Sequence, residues 1–303
     1  MNYSDTQALS AFTLARQRFL RHRLAVVSGL FILFMAVLSA SAPLIESVRG
    51  IDANEVDLYG RFALPSLDTW LGKDELGRPV FVRLLYGGQV SLLVGLVTAL
   101  VAAIIGTVVG LVAGYRGGWI DALLMRLTDS VIALPLLPLL IVLAALDLNK
   151  LGLSEIVTQS ENISLYRIVA IVALVGWTTV ARLVRGSALS LRERDFVLAA
   201  KAQGASSLRI MTVHILPNLF SPIVVATTLS IGNIILLESV LSFLGLGIQP
   251  PVASWGNLLT NAQELIFSAP WLAIYPGAAI FLTVIAFNFL GDGLQDALEP
   301  KAA

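Results

Sequence analysis

The chain has 303 residues, of which 57% are hydrophobic and only 13% charged, and its mean hydropathy is +0.84. A soluble globular protein wets its surface with roughly 25% charged residues, so this chain cannot cover a water-facing exterior and lipid must be part of its solvent. Twenty Lys and Arg balance twenty Asp and Glu, leaving no basic excess for nucleic acid. The lack of Cys excludes disulfides, thiolate metal sites and Cys nucleophiles together.

A bilayer core of ~30 Å needs about 20 apolar residues in a helix rising ~1.5 Å each. Six segments approach that length, which predicts an all-α, polytopic membrane helical bundle of about six transmembrane helices. The first, residues 24–45, carries no charge before Glu46. Arg21, Arg23 and the small residues 39–42 give it some likeness to a signal peptide, but its apolar run is longer than the ~7–15 residues of a signal h-region, so it reads as an uncleaved anchor. The second, 90–114, is uncharged; its Gly95, Gly106, Gly110 and Gly114 suit close helix packing. The third, 122–146, carries Arg126 and Asp129 near its start. Three apart, these share a helix face and read as a structural pair rather than a substrate contact. The fourth, 165–184, is the weakest, with Arg167 and Arg182 near its ends. The fifth, 219–244, contains Asn233 and Glu238. A charge in mid-membrane costs at least ~2.5–3.5 kcal/mol, so Glu238 either lines a pathway, with Asn233, or binds a neighbouring helix. The sixth, 271–290, opens on the interfacial anchor Trp271.

With the N-terminus in the cytoplasm, thirteen Lys and Arg fall inside and seven outside, and both termini lie inside. The long outer loop, 46–89, contains the turn residues Pro65, Gly72, Gly77 and Pro79, and Phe81, Leu84 and Leu85 at helical spacing. Residues 249–270 form a second outer excursion, and 185–218 the long inner loop.

No Walker loop, zinc-protease helix or nucleophile elbow occurs. The two histidines, His22 and His214, are far apart. No residue pattern nominates a catalytic group or a metal site.

The inner loop carries the informative pattern. Strong helix formers run from Leu191 to Gln203, and Gly204 suits the left-handed position that ends a helix. Ser206 or Ser207 can cap a second short helix that Pro217 stops. Small side chains at Ala199, Ala200 and Ala202 leave room for a partner to approach; a solvated connector is the plain alternative. The run Asp195-Phe196-Val197-Leu198-Ala199-Ala200-Lys201-Ala202-Gln203-Gly204-Ala205, followed by Arg209 and His214-Ile215-Leu216-Pro217-Asn218, resembles the EAA loop of permease subunits in bacterial ABC importers. Leu198 stands where the general pattern has Glu and His214 where it has Ile, both as in the peptide-importer branch. The block 71–87, Ser242 to Gly247, Ser254-Trp255-Gly256, Tyr275-Pro276-Gly277 and Phe287 to Leu298 are similar to further blocks of the C-type subunit of dipeptide/oligopeptide permeases; Pro79 departs from that pattern.

The resemblance implies a type I ABC importer permease fold, a non-catalytic subunit of the bacterial inner membrane, and half of a peptide pathway. It divides the chain into a cytoplasmic segment 1–23, a first transmembrane helix 24–45, a periplasmic loop 46–89, a core 90–291 and a cytoplasmic tail 292–303. The implied partners are a paralogous permease, two ATP-binding subunits and a substrate-binding protein, with ATP and Mg on the ATPases and no cofactor on this chain. Residues 195–217 become the coupling loop, with Asp195, Lys201 and Arg209 able to pair with charges on the ATPase. Asp74, Glu75, Arg78 and Trp255 lie in segments that face either the binding protein or the paralogous subunit. Glutathione or a nickel complex is the alternative cargo, and an ion-coupled secondary transporter or channel the alternative class.

Overall fold

The computed structural model describes residues 11–146, 160 and 162–298; among these it contains helices and turns but no strand. Helix α1 (Ala11–Arg21) ends at His22, whose non-helical backbone turns the chain and whose Nδ1 accepts from Ala25 N to cap α2 (Arg23–Ala40). A break at Ser41 leads into α3 (Ala42–Arg49), closed by Gly50 at φ 61°. After an irregular loop, α4 (Val80–Arg116) runs for 37 residues. At ~1.5 Å per residue it is about 55 Å long, well beyond a ~30 Å hydrocarbon core. Its first turns therefore belong to the loop end of the bundle rather than to a loop.

The third apolar segment is broken. Helices α5 (Gly118–Ala133) and α6 (Leu136–Ala144) meet at 86°. The cause is Pro135, which lacks an N–H and holds Leu134 in an extended conformation (ψ 137°). By contrast the fourth segment, the weakest in sequence, is one 29-residue helix, α7 (Ile163–Leu191). Among the described residues five helices are long and apolar enough to cross a membrane, and six crossings result if the bent pair counts as one.

After α7 the backbone leaves the helix at 192–194, so the helix expected over 191–203 is instead the short α8 (Asp195–Ala202). Pro217 does not stop the next helix. It enters at the start of a 3-10 turn, where its missing N–H is harmless, and the chain runs through a π-type stretch at Ile210–Ile215 into one long α9 (Ser207–Phe243). Helix α10 (Trp271–Leu298) closes the chain.

The bundle is organised around α4, which packs most extensively on α7. Glycines make this contact possible. A Cβ at Gly106 would lie 2.5 Å from Trp177 O, and one at Gly110 2.4 Å from Ala181 O. The four-residue spacing on both helices lets backbone meet backbone over successive turns. Helices α2, α9 and α10 complete the core, which includes Val94, Leu140, Ile168, Ile235, Leu241 and Phe287.

Candidate functional site

Three regions carry the residues singled out in the sequence. At one end of the bundle, α8 rests on a buried cluster. Val197 and Ala200, one turn apart, point inward onto Ile210, Met211, Ile215 and Leu219 of α9 and Val180, Val184 and Ala188 of α7. Burying two small side chains aligns α8 but leaves most of it uncovered. Asp195, Ala199, Lys201 and Arg209 are exposed, Phe196 is 43% and Leu198 46% exposed, and Leu208 and Val213 add further apolar surface.

Gly204 has φ 81°, and nothing lies within 4 Å of a Cβ built there. Its requirement is conformational, not steric. Ser206 then caps the next turn by accepting from Arg209 N at 3.3 Å. Ala205, His214 and Leu216 are half-buried and Pro217 exposed, with His214 O accepting from Asn218 Nδ2.

The platform beneath is tied by charge. Arg185 of α7 makes a bidentate pair with Asp121 of α5, both bonds 2.6 Å, and Arg192 donates to Gly114 O at the end of α4. The expected Arg126–Asp129 pair does not form. Asp129 instead pairs with Arg182 of α7 at 2.5 Å, and Arg126 has no ion pair among the described residues. The i,i+3 spacing allowed the pair, but Asp129 lies within reach of α7, where the interhelical bond also fixes the bent third segment.

The second region is a groove of about 470 Å³ between the α5–α6 bend, α7 and α9. Its wall is mostly aliphatic, with Thr178, Thr179, Ser230 and Asn233 as uncharged polar points. Asn233 is exposed there; Glu238 is not. Glu238 is 0% exposed and accepts from Ser242 Oγ at 2.7 Å and Ser91 Oγ at 3.1 Å. The other alternative thus holds: Glu238 binds a neighbouring helix, α4, and lines no open surface.

The third region is the opposite end, where the 244–270 segment folds back into the bundle. Trp255 is fully buried, its Nε1 donating to Leu84 O at 3.0 Å and its backbone N to Ser91 Oγ at 3.1 Å. Gly87 and Gly88 leave space for the indole. Asp74 is likewise buried. It accepts from Leu76 N, Arg78 N and Arg78 Nε, all within 2.9 Å, and lies 3.7 Å from the buried Arg83. Trp255 and Asp74 are therefore internal fasteners and not partner contacts. Glu75 and Arg78 are half-buried, 3.7 Å apart. Glu46, within α3, accepts from Tyr86 Oη and Ala53 N. Nearby, the Lys73 ammonium donates to Asp57 at 2.8 Å and holds its carboxyl below the usual carboxylate range.

Sequence reasoning missed Asp121, Arg185 and the groove residues Thr178, Thr179 and Ser230. Asp121 opens α5 among small and aromatic residues with no partner nearby in sequence, and its arginine lies sixty-four residues away. The groove depends on the bend at Pro135, which the apolar run alone hides.

Residues 106–303 match the family model of the binding-protein-dependent transport system inner membrane component, and residues 10–58 the N-terminal transmembrane domain of oligopeptide transport permease C. The chain is 40% identical to a dipeptide transport system permease protein of Alkalihalophilus pseudofirmus, over 97% of this chain and 91% of that one. It is also 40% identical to a glutathione transport system permease protein of Escherichia coli, over 94% and 89% respectively.

Proposed function

The chain belongs to the inner membrane components of binding-protein-dependent transport systems, and from that premise we propose that it forms half of the translocation pathway of an ATP-driven peptide importer. The observation that carries this reading is α8: a short helix seated on α7 and α9 through Val197 and Ala200, with its apolar and charged face turned outward. Such a helix transmits a push as one body into two spans. ATPase subunits that change shape on binding ATP and Mg supply the push; this chain supplies no catalytic group.

The groove beneath the α5–α6 bend is our candidate for this chain's share of the pathway. It opens on the flank of α7 and α9, where a paralogous permease completes it. Its uncharged polar points, Asn233, Ser230 and Thr179, suit peptide backbones of varied side chains. Selection of cargo then rests with an extracytoplasmic binding protein. Both termini and α8 lie on the cytoplasmic side in this reading, in accord with the thirteen-to-seven split of Lys and Arg. Glutathione is the second cargo reading, favoured by the likeness to a glutathione permease.

The reading predicts co-purification with ATPases and loss of peptide uptake on ATP depletion. Transport in vesicles holding this chain alone would overturn it. Gly204→Val should uncouple hydrolysis from uptake while the spans still insert, because a β-branched residue is strained at φ 81°. Normal uptake by that variant would refute the role of the turn.

A further inference from the structure

The N-terminal helix and the first residue of α2 carry a charge pattern that the transport reading uses only for orientation. Arg16, Arg18, Arg21 and Arg23 occur within eight residues, and α1 contains no acidic residue. All four are exposed, and none makes an ion pair or hydrogen bond among the described residues. Unpaired, clustered guanidinium groups repel one another and stay solvated unless an anion is near. Among and beside them are exposed apolar side chains, Leu20 within the cluster and Leu14 and Leu24 at its two ends, at 56%, 38% and 54%. Immediately after Arg23 begins a run of α2 without charge up to Glu46. At ~1.5 Å per residue, the four charges thus fall within about 10 Å of where hydrocarbon must start.

The helix is fixed in place. It packs against α10 and α2, and His22 caps α2 while its Nε2 lies 3.8 Å from Asp296 of α10. The acids facing this corner are Asp292 and Asp296, both exposed; neither is within ion-pair range of the four arginines. The positive face is therefore held open at the membrane boundary and not neutralised from within.

We propose that α1 is an anionic-lipid anchor, with Arg16, Arg18, Arg21 and Arg23 gripping phospholipid phosphates of the inner leaflet while Leu14 and Leu20 enter the acyl boundary. A guanidinium fork matches phosphate oxygens bidentately, and a basic cluster beside a span is the pattern that anionic headgroups attract. Leucines beside arginines fit a lipid surface, where each chemistry meets its own layer. An acidic protein surface would satisfy only the arginines. The inference rests on the cytoplasmic placement of α1 but not on the cargo or the coupling.

The test uses the complete transporter, reconstituted in phosphatidylcholine with trace spin-labelled phosphatidylglycerol or phosphatidylcholine. Wild type should prefer the anionic tracer. Arg16→Gln/Arg18→Gln should move that preference toward parity, whereas Arg16→Lys/Arg18→Lys should keep it; Arg21 and Arg23 remain to direct insertion. Added inorganic phosphate should leave the preference unchanged, separating a lipid site from a free-anion site. Equal preference in wild type and the Gln variant would overturn the proposal, as would crosslinking of α1 to an ATPase subunit in place of lipid contact. Orientation is read separately: the chain has no Cys, so Gln17→Cys should react with an impermeant maleimide only after cells are permeabilised.

Discussion

The two ends of this bundle treat similar sequence in opposite ways. Both carry glycine- and proline-punctuated segments with aromatics, although 244–270 has a single charged residue, Glu264, where 192–219 has six. At the 244–270 end the segment folds inward: Trp255 is fully buried, and Ser91 links it to Glu238. At the 192–219 end only Val197 and Ala200 of α8 turn inward, and Phe196 and Leu198 stay out. One end is fastened within the chain and the other is left open for a partner. In the proposed coupling both are needed, because a push on α8 would move the groove only if the far end is held.

The largest effect expected from breaking this contrast is at Trp255. Trp255→Ala removes a fully buried indole and its bond to Leu84 O, at about 3–5 kcal/mol. A thermal melt of the purified complex should show a large drop, and an unchanged melt would mean that the inward end is not a fastener. Gly110→Val should rank close behind, since a Cβ there meets Ala181 O at 2.4 Å and overpacking costs typically ~1–3 kcal/mol. Loss of folded protein checks it; full recovery would show that α4 and α7 can separate.

Glu238→Ala leaves the hydroxyl protons of Ser91 and Ser242 without their acceptor in a buried site, at roughly 1–3 kcal/mol. Since Glu238 faces no groove, the substrate concentration for half-maximal uptake should stay constant while thermal stability falls. A large shift in that concentration with no loss of stability would return Glu238 to the pathway. The smallest effect concerns Asp57, whose carboxyl Lys73 holds below its usual range. A depressed folded value contributes order that is present above the ordinary carboxylate range and is lost as pH falls through the folded value. Hydrogen-exchange protection around residues 57–64 should fall slightly on acidification, and Lys73→Met should weaken that dependence, leaving the part held by the Tyr59 and Gly60 N–H groups.

Much of this molecule was legible in its sequence, for identifiable reasons. Apolar runs of span length have one stable state in lipid, so a helical bundle of five to six crossings could be read from them. Gly204 was legible because a left-handed residue after a run of helix formers has a narrow set of uses. The direction of side chains in the loops was not. Trp255 and Asp74 look like exposed recognition residues until Gly87 and Gly88 are seen to admit the indole, and the loop backbone to wrap Asp74. Asp129 lay three residues from one arginine and fifty-three from another, and the distant one won. The bend at Pro135 hid inside an apolar run that hydropathy reads as straight.

The open end makes the most direct claim, that the outward face of α8 meets an ATPase subunit. With no native Cys in the chain, Leu198→Cys gives a single thiol on that face for crosslinking in the assembled transporter. The account predicts an adduct with the ATPase whose yield changes when ATP is bound. An adduct with the binding protein, or none with the ATPase, would contradict it.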